Sequence, residues 1–383
     1  MLTYAYARDF TDIKKMDPAA VAASPRGTRI VEDYLRRATA YIDMHTARRF
    51  YPYYQMRMLT VPVTYADLRR RAYIFNDIDL DTDLLEPTLC QTTSGMLILS
   101  GETLPSPALS AIVTTFTAAD AGGVDANGNE RFTVGDVLQM DNERMVIRQV
   151  DGNVITVTRG ALETMPAGHA VGTVIYKMTT TDLVQGINYY PLDWNIRPFS
   201  ALRVVWPQSW SGGAYAAAGW QSRSPQILIS GLWGFHERYP GSAWVNTLET
   251  LSSGLDATAT TFTATDADAM DNDNQTRFLD GYLLRIDDEL IWCGAVNTTS
   301  NVVTIYRGRE GSLATPHASG TPIYRYAVPY EISQACLVIA KTFRDADASV
   351  GGRQGVTEMS EGVEITIPKD QAEVLAYYRR AIL

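Results

Sequence analysis

Cysteine is scarce in this sequence. Cys90, Cys293 and Cys336 stand far apart and in no C-x-x-C arrangement, which argues against a disulfide framework and against a thiolate zinc site. The same scarcity fits synthesis in a reducing compartment. Histidine is hardly commoner: there are four, with no H-x-x-x-H pair. G-x-S-x-G, G-x-x-x-x-G-K-[ST] and G-x-G-x-x-G are all missing, so no hydrolase elbow, phosphate cradle or dinucleotide fingerprint is present. The chain is therefore expected to be no enzyme and to need no cofactor. No apolar run approaches the roughly 18 residues of a membrane span, and MLTYAYARDFTDIKK lacks the basic flank and apolar block of a signal peptide. Positive charge is outnumbered, with 33 Lys and Arg against 43 Asp and Glu and a net charge of −10. That balance speaks against a protein whose main task is gripping phosphates, without excluding DNA passing close by.

What is present is ordinary folded text, 46% hydrophobic and 20% charged over 383 residues, long enough for two to four domains. Its organising feature occurs twice. Phe116, Arg131, Phe132, Gly135, Asp141, Glu143 and Val150 recur at an offset of 146 as Phe262, Arg277, Phe278, Gly281, Asp287, Glu289 and Val296. Two inserted residues then move the offset to 148, and Arg159, Gly160, His169, Gly172, Ile175 and Tyr176 recur as Arg307, Gly308, His317, Gly320, Ile323 and Tyr324. One register shift inside one loop is what a duplicated domain leaves behind. Short β-branched runs such as Val154-Ile155-Thr156-Val157-Thr158, with Gly, Asp and Asn at the joints, predict two homologous small all-β domains, barrel or sandwich, at 95–178 and 247–326.

Outside the repeats the pattern changes. An arm with a short helix near Phe10 to Met16 precedes an amphipathic helix over about 28–47, with Ile30, Tyr34, Ala38, Tyr41, Ile42 and His45 on one side and Thr28 as candidate cap. Strands are expected around Gln55–Leu59, Tyr73–Phe75, Leu202–Pro207 and Gln226–Gly234. A loop from Trp210 to Trp220 carries aromatics. Ile332, Ala335, Cys336, Ile339, Ala340 and Phe343 give a long helix after Val328-Pro329. A short strand at Val363–Ile367 and a helix from about Pro368 to Ile382, with Ala372, Leu375 and Ala376 inward, close the chain.

These outer pieces, in order, resemble the head-tail connector, or adaptor, family of tailed bacteriophages. LRRATAYIDMHTARRFYP stands as the first helix, ILISGLWGFHERYP as the G-x-W-G-[FY] strand end, VPYEISQACLVIAKTFRDAD as the long helix and EVLAYYRRAIL as the terminal helix. The resemblance covers 1–94, 179–246 and 327–383, and it rests on joint order. The repeats resemble a module of phage adaptor and tail proteins, here GDVLQMDNE…ITVTRG…HAVGTVIY and GYLLRIDDE…VTIYRG…HASGTPIY. The implied fold is α+β: a helical connector core with a few strands, discontinuous over those three segments and interrupted by the two β domains. The implied role is a structural virion protein at the head-tail interface, made in the host cytoplasm. It would form a homo-oligomeric ring, usually of twelve subunits, seated on the portal protein and on the next neck or tail protein. DNA would pass through its middle without sequence-specific contact, and no membrane is involved. A tail or baseplate structural protein is one alternative. A host-glycan-binding virion protein, using the Trp210–Trp220 loop, is the other.

Individual residues divide accordingly. The resemblance assigns portal docking to Tyr377, Tyr378, Arg379 and Arg380, of types enriched at interface hot spots; a solvated helix end is the plainer reading. Arg69-Arg70-Arg71, the most basic run, reads as a solvated turn or subunit-facing surface, or else as a DNA contact. His169 and His317 read as structural, each satisfying a backbone carbonyl at a turn beside an Arg159 or Arg307 paired with a carboxylate. A metal or base role would have to draw on Asp141, Asp287, Glu143 and Glu289. Asp125-x-Asn127-x-Asn129 and Asp271-x-Asp273-x-Gln275 look like half of a calcium loop but lack its glycine and its closing glutamate.

Overall fold

A computed structural model describes residues 2–13, 25–60, 73–192, 197–207, 226–351 and 367–380. The expected helical core is corrected by what they form: sixteen strands in two antiparallel sheets, one ten-stranded and one six-stranded, and four helices. The protein is mostly β. Helices supply one layer of one of its two compact units, which are Tyr54–Trp233 and Met1–Tyr53 with Gly234–Leu383. Arg69 to Arg71, the Trp210–Trp220 loop and most of the expected strand at Val363–Ile367 lie outside the described residues.

The unit Tyr54–Trp233 is built on β2 (Tyr73–Thr103), a strand of 31 residues. Successive parts of it pair with β9 (Phe199–Pro207), β10 (Gln226–Trp233) and β7 (Val174–Asp182). Register shifts between Thr93 and Leu97 and between Leu99 and Thr103 bracket Gly95 and Gly101, both at positive φ. A strand this long bends at such bulges, where glycine takes the left-handed conformation without a Cβ clash. β1 (Tyr53–Thr60) lies beyond β10, and β8 (Tyr189–Pro191) pairs with β9. The first repeat continues the same sheet from β7 through β4 (Val137–Met140), β5 (Glu143–Asp151) and β6 (Val154–Thr158) to β3 (Thr115–Thr117). Residue 95 lies inside β2, so the strand runs from connector text into repeat text unbroken.

In the other unit the second repeat forms a six-stranded sheet of its own. Its order is β11 (Trp244–Thr250), β16 (Pro322–Tyr326), β13 (Leu283–Ile286), β14 (Glu289–Asn297), β15 (Val302–Tyr306) and β12 (Thr261–Thr263). The two repeats pack homologous cores. Phe116 meets Phe132 edge to face in one, and Phe262 meets Phe278 in the other, over Leu138, Ile155 and Ile175 or Leu284, Val303 and Ile323. Each repeat also docks by the same turn. A Cβ on Gly135 would stand 2.5 Å from Leu89 Cδ2, and one on Gly281 would stand 3.8 Å from Tyr6 Cδ1, with φ of +95° and +91°. A side chain at either position would be strained by the backbone conformation, and at Gly135 it would also have to displace Leu89.

The helices of this unit pack on one another. α2 (Pro25–Thr46) begins at Pro25, three residues before the expected Thr28 cap, and buries Val31, Leu35, Ala38 and Ile42. α3 (Tyr330–Gly351) answers with Ile332, Ala335, Cys336, Ile339 and Ala340, small enough at the centre for Thr39 Oγ1 to lie 3.7 Å from Cys336 Sγ. α4 (Lys369–Tyr378) stops short of Ile382, and its buried residues are Leu375 and Tyr378 rather than Ala372 and Ala376. The N-terminal arm, polar in text, is tied in by tyrosines. Leu2, Tyr4 and Ala5 are buried, and Phe10 on α1 (Ala7–Ile13) with them. Tyr4 N donates to Thr39 Oγ1 at 3.1 Å, Phe50 N donates to Tyr4 Oη at 2.9 Å, and Tyr51 Oη donates to Thr3 O at 3.0 Å.

Tyr4 Oη donates in turn to Asp43 near the end of α2. Burial pushes the Asp43 carboxyl up to about 6, against the opposing pull of the Tyr4 hydrogen bond and Arg49. The folded state thus holds this proton more tightly than the unfolded chain. The resulting stability is full below the ordinary carboxylate range and is lost as pH rises through about 6. Asp43→Asn keeps an acceptor for Tyr4 without the buried charge. Calorimetric melts are expected to show the variant more stable than the parent by about 1–3 kcal/mol at pH 8, with the gap narrowing below about pH 6 and closing only below the ordinary carboxylate value of 3.8.

Candidate functional site: a buried charge cluster present twice

The hairpin turn of each repeat is two residues long. Met140 pairs with Glu143, so only Asp141 and Asn142 form the loop, with Asp141 at φ +50°. Asp287 and Asp288 do the same in the second copy. Glu143 and Glu289 are therefore the first residues of β5 and β14, and both are buried.

Five donors converge on Glu143. Arg159 binds it in a fork, Nε to Oε1 and Nη2 to Oε2, both at 2.7 Å. The amides of Gly160 and Ala167 add contacts at 2.9 and 2.8 Å, and His169 Nε2 lies 2.9 Å from Oε2. The other ring nitrogen, Nδ1, lies 2.8 Å from Oδ2 of Asp141, whose side chain is 61% exposed. The ring thus faces two carboxylates, where the sequence suggested a backbone carbonyl. Burial pushes the Glu143 carboxyl up, but the hydrogen bonds from Arg159, Ala167, His169 and Gly160 outweigh it and hold it down at about 2. The second copy repeats the geometry: Arg307 forks onto Glu289 at 2.7 Å twice, and His317 bridges Asp287 at 2.7 Å and Glu289 at 2.9 Å. Glu289 is likewise lowered, its burial outweighed by Arg307, Gly308, His317 and Thr315.

The free side of each guanidinium pins loops. Arg159 Nη1 donates to Ser110 O at 2.8 Å and Val113 O at 2.6 Å, and Nη2 donates to Ala167 O. Arg307 reaches Asp256 O and Thr315 O in the same way. His169 also exchanges backbone bonds with Leu109, as His317 does with Leu255. The buried carboxylates and guanidinium groups are spent internally and the imidazoles are sealed from solvent, while the Asp141 and Asp287 carboxylates are 61% and 60% exposed. Such a cluster ties three chain segments at one end of the sheet, and its imidazole, guanidinium and buried carboxylate present no open atom for acid-base work.

A second ion pair escaped the sequence reading. Arg131 Nη1 donates to Glu102 at 2.8 Å and Arg277 Nη1 to Glu249 at 3.1 Å, and each acid also receives loop amides. Glu102 and Glu249 stand 147 apart, one off the offset of 146, so a fixed-offset comparison passes over them; the matched Ser100-x-Glu102 and Thr247-x-Glu249 was the available signal. The half calcium loops are Asx turns. Asp125 Oδ1 accepts the amides of Asn127 and Asn129, and Asp271 Oδ1 those of Asp273 and Gln275. Beside them sits a protein cation: Lys177, 2.8 Å from Asp136, or Arg325, 2.7 Å from Asp271. Among the described residues no group of three or more His, Cys, Asp or Glu is arranged to hold a metal ion.

At the chain end the four docking candidates divide. Tyr378 is buried, its hydroxyl 2.9 Å from Glu237 and 3.3 Å from Glu331, with its ring edge-on to Phe50 and Phe235. Arg380 N donates to Thr46 O at 2.8 Å. Tyr377 and Arg379 are exposed.

Glu143 supplies stability that is complete above its ordinary value near 4.5 and is lost as pH falls toward about 2. Glu143→Gln leaves Arg159 buried without its counter-charge, and a loss of about 3–5 kcal/mol is expected from urea melts at pH 7. Glu289→Gln should behave alike, whereas Asp141→Asn, at an exposed carboxylate, should cost under about 1 kcal/mol. Compared with family models, curated proteins and solved structures, the chain matches none.

Proposed function

We propose that this protein is a structural virion subunit of an adaptor ring, joining a portal to the next neck or tail component and leaving an aperture for DNA. The observation that carries the reading is the packing of helices from both chain ends. α2, α3 and α4, which hold the connector-like text, lie in one bundle with the N-terminal arm. At the surface of that bundle Tyr377 is 79% exposed, while its neighbour Tyr378 fixes the helix end. An exposed aromatic on a rigid mount beside Arg379 is the chemistry of an interface anchor. The repeat clusters fit a mechanical part, since their charges are consumed in tying loops.

Ring closure requires each subunit to present two different, complementary sides. Passage of DNA through the ring would be non-specific and would fit the excess of acid over base. The doubled β module favours a second reading, a tail or baseplate structural subunit.

Negative-stain electron microscopy of the purified protein is expected to show closed rings with a central hole, and those rings should bind a portal protein. Tyr377→Ala with Arg379→Glu should weaken portal binding by about tenfold or more without lowering the melting temperature. Assembly with tail components and not with the portal would instead select the second reading.

A further inference from the structure

The two repeats share a fold but not a surface. Among side chains of the described residues, the first repeat exposes eleven large apolar residues and the second exposes three. At matched positions Val134 is Asp280, Val171 is Ser319 and Ile112 is Thr258. A free surface has no reason to be apolar in one copy and polar in the other.

The two most exposed large hydrophobics among the described residues are Ile112, at 89%, and Met165, at 81%. They stand on the two loops that Arg159 pins through Ser110 O, Val113 O and Ala167 O. Thr164, next to Met165, is held again by the Arg144 amide at 2.9 Å. These side chains are therefore mounted on fixed backbone, which lowers the ordering cost of binding. Glu163, two residues before Met165, is exposed.

The chain also carries a fitting recess. A cavity of about 320 Å³ between α2 and the second repeat is walled by Leu35, Leu279, Trp292 and Tyr306, with Asp280 and the paired Glu32 and Arg36, 3.3 Å apart, at its edge. Tyr306 is 48% exposed, and Arg309 lies over the Trp292 and Tyr306 rings. The indole N–H of Trp292 and Nε of Arg309 have no acceptor among the described residues. Two buried donors without acceptors beside an apolar recess mark an incomplete surface. In the first repeat the residues at these positions are Val146, Thr158 and Ala161, and there Met56 and Leu228 already cover Val146.

We infer that Ile112 and Met165 of one copy of this chain seat in the Trp292–Tyr306 recess of a second copy, with Glu163 meeting Arg309. The contact is heterologous, the kind that generates rings. It rests on the ring reading proposed above and specifies its subunit interface.

The test combines light scattering with crosslinking on the full chain. Ile112→Asp with Met165→Asp alters only exposed side chains, so the melting temperature should hold while the concentration for half-assembly rises by about tenfold or more. Because Cys90, Cys293 and Cys336 are buried, Ile112→Cys and Tyr306→Cys carry the only accessible thiols in their respective proteins. A short bis-maleimide should join the two variants when mixed and neither alone. Wild-type assembly with an unaffected double-aspartate variant, or with no mixed crosslink, overturns this interface and leaves the ring reading standing. A wild-type chain that stays monomeric at its highest soluble concentration overturns the ring reading and this interface together.

Discussion

The forked Arg–Glu pair at the end of each β module is the interaction on which the rest hangs. A carboxylate at the start of a strand, buried and bound by five donors, would be costly alone and is stable because every lone pair is used. Its guanidinium then fixes loops that have no regular hydrogen bonding of their own. Histidine completes the set from a third segment, bridging the buried and the exposed carboxylate. The same atoms recur at nearly the same distances in both copies, over homologous cores.

Given rigid modules, the two copies differ in what surrounds them. Both dock through the turn at Gly135 or Gly281. One extends the ten-stranded sheet, with Val137 and Val146 covered by Met56 and Leu228; the other meets an N-terminal arm whose Tyr6 stacks edge-on to Tyr282. Duplication thus preserved the attachment face and released the outer faces to diverge. The same logic explains why the tyrosine-rich arm is buried: Tyr4, Tyr51 and Tyr326 fill a large interior while their hydroxyls meet backbone and Asp43.

Much of the module was legible in text because its signals are local. Val154–Thr158 alternates as strands do, Asp141-Asn142 tolerates positive φ, and the offsets of 146 and 148 align the clusters residue by residue. Arg159 beside a carboxylate was readable from its recurrence with Glu143. The partner of His169 was not, because Asp141 and Glu143 lie two residues apart on a turn and a strand, and only the turn geometry sends both toward one ring. The helical core was misjudged for a related reason. Helix periodicity is conspicuous over 20 residues, whereas β2 changes partner along its length and shows no single period.

By itself the sequence determined the duplication, the strand text of both modules and the amphipathic helices at the two chain ends, since each depends on neighbours within a few turns or on self-similarity. Tertiary structure alone decided that the first repeat shares a continuous sheet with its flanking strands while the second has its own. It alone decided, too, which polar residues are buried. Pairing register and the convergence of distant donors on one carboxylate depend on contacts across tens to hundreds of residues, and no local pattern encodes them.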